Sequence, residues 1–183
     1  MRRRLFSIHH RAILLWGSLA LFWFVMSSCS SDLFLAPPKQ PIGWIEKVSF
    51  PEFDAVLDAK LDTGADTSSL HADSIQVLIG SKGENVVEFR VEDHNGEYQI
   101  LQLPLSRRAK IKTKGGYLQV RPVVTLGVCV GAGFEEVEFT LVDRSHFDYP
   151  VLIGRNFLAG KFLVDSSRSF TFPPACDAAE VSK

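Results

Sequence analysis

The sequence contains little that predicts α-helix, no internal repeat and no low-complexity tract. It also lacks the H-E-x-x-H motif of helical zinc sites and the G-x-x-x-x-G-K loop that binds nucleotide phosphates. Its composition, 46% hydrophobic and 22% charged over 183 residues, is that of an ordinary one-domain globular protein. A repeat architecture is therefore excluded, an ATP site has no visible basis, and we expect no cofactor.

Cysteines are scarce, at three in the whole chain: Cys29, Cys129 and Cys176. Cys129 stands in an apolar strand and is predicted to be a core residue, whereas Cys176 lies in a proline-flanked tail. In an oxidising compartment the two could pair, but the sequence does not fix the geometry that a disulfide needs. Their pairing stays open at this point.

Histidines are also few, and none forms a recognisable metal motif. The five are His9, His10, His71, His94 and His146, and no two beyond the N-terminal segment have helical ligand spacing. We therefore predict no metal site. A site built from His71, His146 and an acid is the alternative.

The N-terminus has the layout of a secretory signal. Four arginines accompany an apolar run from Ala12 to Met26, which is shorter than the roughly 20 residues of a membrane-spanning helix. Small residues before Cys29 resemble a bacterial lipoprotein cleavage site. Residues 1–28 are thus predicted to be a lipoprotein-type signal peptide, with Cys29 lipidated. An uncleaved anchor, or simple secretion, is the alternative.

The predicted anchor places the protein in the cell envelope of a Gram-negative-type bacterium. The resemblance to lipoproteins implies that Ser30 after the cysteine favours the outer membrane, facing the periplasm. The proline-rich residues 29–41 are predicted to be an extended tether. Without residues 1–28 the chain has 16 basic residues against 21 acidic ones, a formal charge of −5. This acidic balance argues against a nucleic-acid partner.

Many short apolar segments separated by turn residues predict an all-β protein, a small closed or half-closed β-barrel. Asn95-Gly96 is a strong hairpin signal between two alternating segments. Helix is predicted only as a turn after Ser69 and over Arg155–Leu158. The predicted strands are Ile42–Phe50, Ala55–Leu61, Val86–Val91, Tyr98–Leu103, Arg107–Lys112, Tyr117–Leu126, Val128–Val130, Glu136–Val142, Pro150–Ile153 and Phe162–Asp165.

The most informative stretch is L-D-T-G-A-D-T-S-S-L-H-A at 61–72, in which an apolar strand carries Asp62 into a turn. A carboxylate at a buried strand end is partly desolvated and can be held by backbone N–H groups. Far downstream, Y-P-V-L-I-G-R-N-F-L at 149–158 gives a second apolar strand followed by a short helix. An ordinary Asp-Gly turn is the alternative for the first stretch alone.

Together, in this order, the two stretches resemble the retropepsin-type aspartic proteases. The chain is similar over residues 43–172 to a bacterial retropepsin-like family catalogued as ATP-dependent zinc proteases. The motifs that carry the resemblance are G-W at 43–44, L-D-T-G-A-D-T-S-S-L-H-A at 61–72, K-G-G at 114–116, R-P-V-V at 121–124 and L-I-G-R-N-F-L-A-G-K-F-L-V-D at 152–165. Residues 42–175 would then be the retropepsin-like domain, with one short helix after Gly154, and 176–183 a C-terminal tail.

The resemblance implies that Asp62, Thr63 and Gly64 form a catalytic turn of an aspartic-type endopeptidase. Such an enzyme needs two carboxylates that share one proton, and this chain has one Asp-Thr-Gly. The second must come from another copy, so the hypothesis requires a homodimer with Asp62 paired to its counterpart. The expected substrate is a periplasmic protein or peptide.

The same resemblance assigns supporting roles. Asp66 is expected to bond Arg155 of the G-R-N segment, with Asn156 beside it, because a planar guanidinium suits two-pronged bonding to a carboxylate. The turn at Lys114, Gly115, Gly116 and Tyr117 is a candidate flap over a bound peptide, and an exposed glycine turn is the alternative.

Besides a purely structural lipoprotein of the cell envelope, in which Asp62 would tolerate substitution freely, two other functions remain as alternatives. A non-catalytic module could keep the fold and bind extended peptides at its strand edges in the cell envelope. A zinc-dependent protease is the other, suggested by the family's catalogued description. Substitution of Asp62 and treatment with EDTA distinguish aspartic catalysis from the zinc-dependent and non-catalytic hypotheses.

Overall fold

The computed structural model describes residues 38–93, 95–112, 115–131 and 133–173. The predictions for the signal peptide, Cys29, Cys176 and Lys114 lie outside the described residues. Within these ranges the chain forms strands almost throughout, with one short helix and a single turn of 3₁₀ helix at Pro51–Phe53. The strands and helix are β1 Gln40–Phe50, β2 Ala55–Leu61, β3 Ser68–His71, β4 Asp73–Ile79, β5 Asn85–Glu92, β6 Tyr98–Pro104, β7 Arg107–Lys112, β8 Leu118–Val130, β9 Gly133–Val142, β10 Val151–Ile153, α1 Arg155–Leu158 and β11 Phe162–Ser169.

Two sheets make up the fold. The larger has eight strands in the order β11-β1-β2-β10-β3-β9-β8-β7, and the smaller is the meander β4-β5-β6. The 13-residue strand β8 also pairs with β1, through Val48 opposite Val130 and Ser49 opposite Cys129. Because this extra pairing brings distant strands of the large sheet together, the sheet is partly closed into a barrel, as predicted.

One apolar core serves both sheets. Phe50 stacks on Phe53 at 5.0 Å between ring centroids and meets the edge of Phe139 at 5.5 Å. The smaller sheet contributes Phe89 to the same cluster, since alternate residues of β5 are buried there. The two sheets therefore enclose a common interior.

The helical turn predicted after Ser69 is wrong. Ser68–His71 is instead a strand, β3, inserted between β10 and β9, and β4 follows it directly. Four residues are too few to show the two-residue alternation of a strand, so only the pairing with both neighbours reveals it. The two segments predicted over Tyr117–Val130 are likewise one continuous strand, β8.

β4, Asp73–Ile79, was not predicted, and β9 and β11 extend beyond their predicted bounds. Helix α1 follows Gly154 as expected, and β2 and β7 have the predicted bounds. Cys129 is fully buried and disulfide-bonded, and the other two cysteines lie outside the described residues. In the described part of the chain, no helix has the length and apolar character to cross a membrane.

Candidate active site

Asp62 lies where β2 ends, beside the end of β10. Its backbone N–H donates to the Ile153 carbonyl at 2.8 Å, which extends the β2–β10 pairing by one residue. Its carboxylate oxygen Oδ1 accepts the Gly64 N–H at 2.8 Å, and its carbonyl accepts the Ala65 N–H at 3.2 Å. Asp62 is half-buried, whereas Thr63 and Gly64 are exposed. The turn thus holds the carboxylate at a surface that a second molecule can approach.

Gly154 sets how closely β10 and α1 approach this turn. A Cβ atom at this position would lie 2.8 Å from the Thr67 carbonyl carbon and 3.0 Å from the Ala65 oxygen. Both contacts are with backbone, which cannot move aside cheaply, so the position requires glycine. The glycine of the G-R-N motif therefore lets the helix start pack directly under the Asp62 turn.

Arg155 contacts three parts of the turn. Its Nη2 pairs with Asp66, its Nη1 donates to the Thr63 carbonyl at 2.9 Å, and its backbone N–H donates to the Ala65 carbonyl at 2.8 Å. The structure thus brings the predicted pair of Asp66 and Arg155 together. Both side chains are substantially exposed, so the contact fixes geometry more than it adds stability.

Asn156 connects the helix to the strand behind the turn. Its Oδ1 accepts the backbone N–H of Ser68 at 3.0 Å and the Ser68 hydroxyl at 2.8 Å, while its Nδ2 donates to the Glu138 carbonyl at 2.9 Å. The Ser68 hydroxyl in turn accepts the Gly154 N–H at 3.0 Å. Ser68 was not among the predicted site residues, although it completes this network.

The structure adds a buried cation that the sequence analysis missed. Arg144 is only 6% exposed, donates from Nη1 to the Ser69 hydroxyl at 2.9 Å and from Nε to the Tyr149 carbonyl at 3.2 Å, and lies over the Phe147 ring. Burial lowers the pKa of Arg144, the charge of Arg121 lowers it further, and the charge of Asp62 raises it. Arg121 and Asp62 therefore both lie near enough to Arg144 for their charges to affect it.

Strand register explains this grouping. Ser69, which binds Arg144, pairs with Leu152, and Leu152 pairs with Lys60, two residues before Asp62. Ser69 also pairs with Thr140. Paired residues share a face of a sheet, and so do residues two apart along a strand.

Arg121 reaches the same face from the other side. Thr140 pairs with Val123, and Arg121 lies two residues before Val123. Burial lowers the pKa of Arg121 as well, and its guanidinium is held by two bonds to the Gln119 side chain. Both arginines thus border the face on which Asp62 stands.

The alternative metal site does not form among the described residues. His71 uses Nδ1 to accept the Arg144 backbone N–H at 2.8 Å and lies 3.7 Å from Asp143. No group of three or more His, Cys, Asp or Glu side chains in the described ranges is placed to hold a metal ion. His71 instead positions the segment that carries Arg144.

The flap candidate lies at the tip of the β7–β8 hairpin. Gly115, Gly116 and Tyr117 connect the two strands, and Gly116 has a φ of +81°, which favours glycine. Lys114 lies outside the described residues. The hairpin is thus present where a flap is expected, and its closing over a peptide stays a prediction.

A partly closed barrel with one Asp-Thr-Gly turn braced by a G-R-N helix defines the retropepsin-like class of acid-protease folds. A family model described as the retropepsin-like aspartic endopeptidase RimB matches residues 41–175. The chain belongs to this RimB-like family.

Several known proteins are similar to the chain. A probable alpha-L-glutamate ligase of Shewanella halifaxensis is 34% identical over 133 residues, and one of Desulfotalea psychrophila is 30% identical over 149. These matches cover 70% and 79% of this chain but only 29% and 31% of the ligases. The crystal structure of Lpg0085 from Legionella pneumophila, a DUF785 protein of unknown function, has a TM-score of 0.63 and 30% identity, covering 73% of this chain and 98% of that one.

Proposed function

We propose that this protein is a homodimeric aspartic-type endopeptidase of the cell envelope, with Asp62 of each copy forming the catalytic pair. The observation that supports this most is the Asp62 turn. Its Asp62 side chain is half-exposed, so a second molecule can approach it, and Gly154, Arg155 and Asn156 hold the turn from the other side. The RimB-like family membership supports the same reaction class.

The chemistry follows from two carboxylates sharing one proton. The ionised carboxylate accepts a proton from water as the water oxygen attacks the scissile carbonyl carbon, and the protonated one donates to the carbonyl oxygen. Collapse of the tetrahedral intermediate then breaks the carbon–nitrogen bond. The carboxyl that took the proton from water gives it to the leaving nitrogen, and the other carboxylate recovers its proton from a hydroxyl of the intermediate. One chain supplies one such carboxylate, so the active form must be a dimer.

The exposed turn suits this pairing. A two-fold axis between the two Asp62 side chains would place each Thr63 hydroxyl next to the turn of the other copy, where it can bond across. A lipid anchor at Cys29 and its tether would raise the local concentration of chains on one membrane surface.

An extracytoplasmic location is supported by Cys129. A disulfide-bonded cysteine is expected where the compartment is oxidising, as in the periplasm, and is rare in the cytosol. The basic and apolar N-terminal pattern points to the same compartment. We propose that the protein lies at the outer membrane, facing the periplasm, and is held there by a lipid on Cys29.

The cations Arg121 and Arg144 indicate the substrate class. Arg144 is buried and Arg121 is partly buried, and an acidic side chain of a bound peptide would relieve the repulsion between their like charges. The relatives named alpha-L-glutamate ligase carry the same domain as part of a longer chain. We infer that the cleft accepts peptides with Glu or Asp residues beside the scissile bond.

The first test uses a peptide library with the wild-type chain, Asp62→Asn and the matched control Asp54→Asn. Asp54 is exposed and has a φ of 47°, a conformation that asparagine tolerates. We expect the wild type and the control to cleave peptides equally well with and without EDTA. In Asp62→Asn we expect the cleavage rate to fall by roughly 10³-fold or more. Loss with EDTA would favour the zinc alternative, and function retained by Asp62→Asn would favour the peptide-binding module.

A second test asks whether two subunits build one site. If each site needs two Asp62 carboxylates, adding an equal amount of Asp62→Asn chain should lower the activity per wild-type chain to about half by random pairing. Mixing with Asp54→Asn should leave it unchanged. Activity that is insensitive to the inactive chain would contradict the dimeric site.

A third test addresses the substrate class. Arg144→Gln removes the buried charge and keeps a donor near Ser69, so we expect kcat/KM for Glu-containing peptides to fall about tenfold more than for their Gln-containing counterparts. The exposed Arg168→Gln is the control. Equal losses on both peptide sets would contradict an acidic subsite.

A further inference from the structure

The β7–β8 hairpin has one face that the proposed catalytic function does not use. Three cross-strand pairs lie on it: Arg108 with Pro122, Lys110 with Val120, and Lys112 with Leu118. Directly opposite residues of antiparallel strands project to the same side, so the three cations and three apolar residues share this surface. We call it the outer hairpin face.

The opposite face of the same hairpin points toward the candidate active site. It carries Ala109, which pairs with Arg121, and then Val123, which is fully buried. Arg121 is the cation that acts on Arg144. The outer hairpin face therefore points away from Asp62 and can contact another surface without entering the cleft.

Its apolar side chains are open to solvent. Leu118 is 68% exposed and Val120 is 55% exposed, values unusual for branched aliphatic residues in a strand. Arg108, Lys110 and Lys112 are exposed and make no ion pair within the described part of the chain. By contrast Arg107, on the other face, pairs with Glu138 at 2.7 Å.

The charge of this face stands out from the rest of the domain. No acidic residue lies on either strand of the hairpin, whereas residues 38–173 as a whole contain 15 basic and 18 acidic residues. Positive charge is thus concentrated on one exposed face of a mildly acidic domain. Such a patch is complementary to an anionic surface.

We propose that the outer hairpin face docks on an anionic phospholipid membrane. Lysine and arginine stems extend along apolar surface while their charged ends reach the lipid headgroups, and Leu118 and Val120 can enter the headgroup boundary. Each cation near an anionic leaflet adds to the attraction. The inference is independent of the proposed catalysis, since it concerns the surface facing away from Asp62.

A membrane fits this face better than an acidic protein for two reasons. The cations and apolar residues form a regular two-row pattern without a pocket for a specific side chain, which suits a fluid surface. The anchor predicted at Cys29 would also keep the domain within about 45 Å of a bilayer, the extended length of residues 29–41. The domain would then meet the lipid by its hairpin.

Lysines on β7 also have a simpler explanation. β7 is an edge of the eight-stranded sheet, and charged side chains on edge strands prevent pairing with other molecules. That role requires no exposed Leu118 or Val120 and no sensitivity to lipid charge. The experiment must therefore vary the lipid as well as the protein.

The test uses the full chain, with its own N-terminal segment, in nanodiscs of phosphatidylcholine alone or of phosphatidylcholine and phosphatidylglycerol in equal parts. Backbone hydrogen exchange of residues 107–112 and 118–123 is measured in each. We expect exchange there to slow several-fold in the anionic discs only, and the difference to disappear at high salt because salt screens the attraction.

Two variants make the result decisive. The double variant Lys110→Gln, Lys112→Gln should show the same hydrogen exchange in both kinds of disc. The double variant Lys82→Gln, Arg168→Gln, which removes two other exposed cations, should keep the difference in exchange. Equal exchange in neutral and anionic discs for the wild type would overturn the proposal. The proposal would also be overturned if the control double variant lost the protection as fully as the hairpin double variant. The attraction to anionic lipid would then be a general effect of charge and not a property of this face.

Discussion

Two carboxylates of this domain show how the same chemical group is used in opposite ways. Glu46 is 1% exposed and accepts hydrogen bonds from the N–H groups of Gly43, Thr171 and Phe172, at 2.8 to 3.3 Å, and from the Thr171 hydroxyl. Asp62 is half-exposed and, within the described residues, its carboxylate accepts one N–H, that of Gly64. The first carboxylate is saturated with donors and the second keeps bonding capacity for a partner.

The difference indicates that Glu46 has a structural role, whereas Asp62 is placed for chemistry. A buried carboxylate is stable only when donors surround it, so Glu46 holds the chain after β11 against the start of β1. Gly43 belongs to the same clamp, because a Cβ there would lie 2.7 Å from both the Glu46 Oε1 and the Arg168 carbonyl oxygen. Asp62, in contrast, is held by its backbone and by the residues behind it, which leaves side-chain oxygen capacity for the second copy that the proposed function requires.

The largest expected effect on stability comes from Glu46→Gln. The amide keeps the size but turns one acceptor into a donor that faces backbone N–H groups, so buried donors lose their partner. We expect the free energy of unfolding to fall by about 2–4 kcal/mol, measured by urea denaturation. The exposed Glu97→Gln is the control, with a change of less than about 0.5 kcal/mol. A stable Glu46→Gln chain would mean that the clamp is dispensable.

A smaller loss of stability is expected from Asn156→Ala, which changes the hydrogen-bond network behind the Asp62 turn. It removes the acceptor for both Ser68 groups and the donor to Glu138, in a partly buried network. We expect a loss of about 1–3 kcal/mol in unfolding free energy. Because Ser68 also holds Gly154 under the turn, the proposed peptidase activity should fall by more than the loss of folded protein explains.

The control for this substitution is Asn95→Ala, at the exposed turn between β5 and β6. Activity is measured at a temperature where both variants are fully folded, so that stability and geometry are read separately. Loss of stability with unchanged activity would show that Asn156 supports the barrel and not the turn.

Much of the fold could be predicted from the sequence because many strands alternate apolar and polar residues and are separated by turn residues. β2, β7 and the hairpin at Asn95-Gly96 are examples. β3 could not be predicted, since Ser68–His71 is a strand only through its two neighbours, β10 and β9. Short central strands depend on contacts that no local pattern contains.

The candidate site divides in the same way. Asp62, Asp66 and Arg155 lie in two motifs and could be named before the structure, but Arg144 stands in a stretch with no motif, L-V-D-R-S-H-F. Arg144 is buried because β9 ends beside β3. There the Ser69 hydroxyl and the Tyr149 carbonyl accept hydrogen bonds from its guanidinium. Local sequence contains no signal for a cation buried by tertiary packing.

The smallest expected change in stability comes from Arg155→Lys, and it is the sharpest way to test what braces Asp62. Arg155 joins Asp66 and the Thr63 carbonyl through two different nitrogens, and a lysine ammonium at the end of a flexible stem cannot hold both in one plane. Both partners are exposed, so unfolding free energy should fall by less than about 1 kcal/mol.

Activity should respond much more strongly to the same change. In the proposed dimer, a turn that is free to shift would misplace Asp62 relative to its counterpart. Small misplacements cost large rate factors, so we expect kcat to fall about tenfold while the melting temperature stays nearly constant. Arg168→Lys, on the exposed end of β11, is the matched control. If kcat were unchanged in Arg155→Lys, the backbone bonds from Arg155 and Asn156 to the turn would suffice to position Asp62, and the guanidinium would have no part in it.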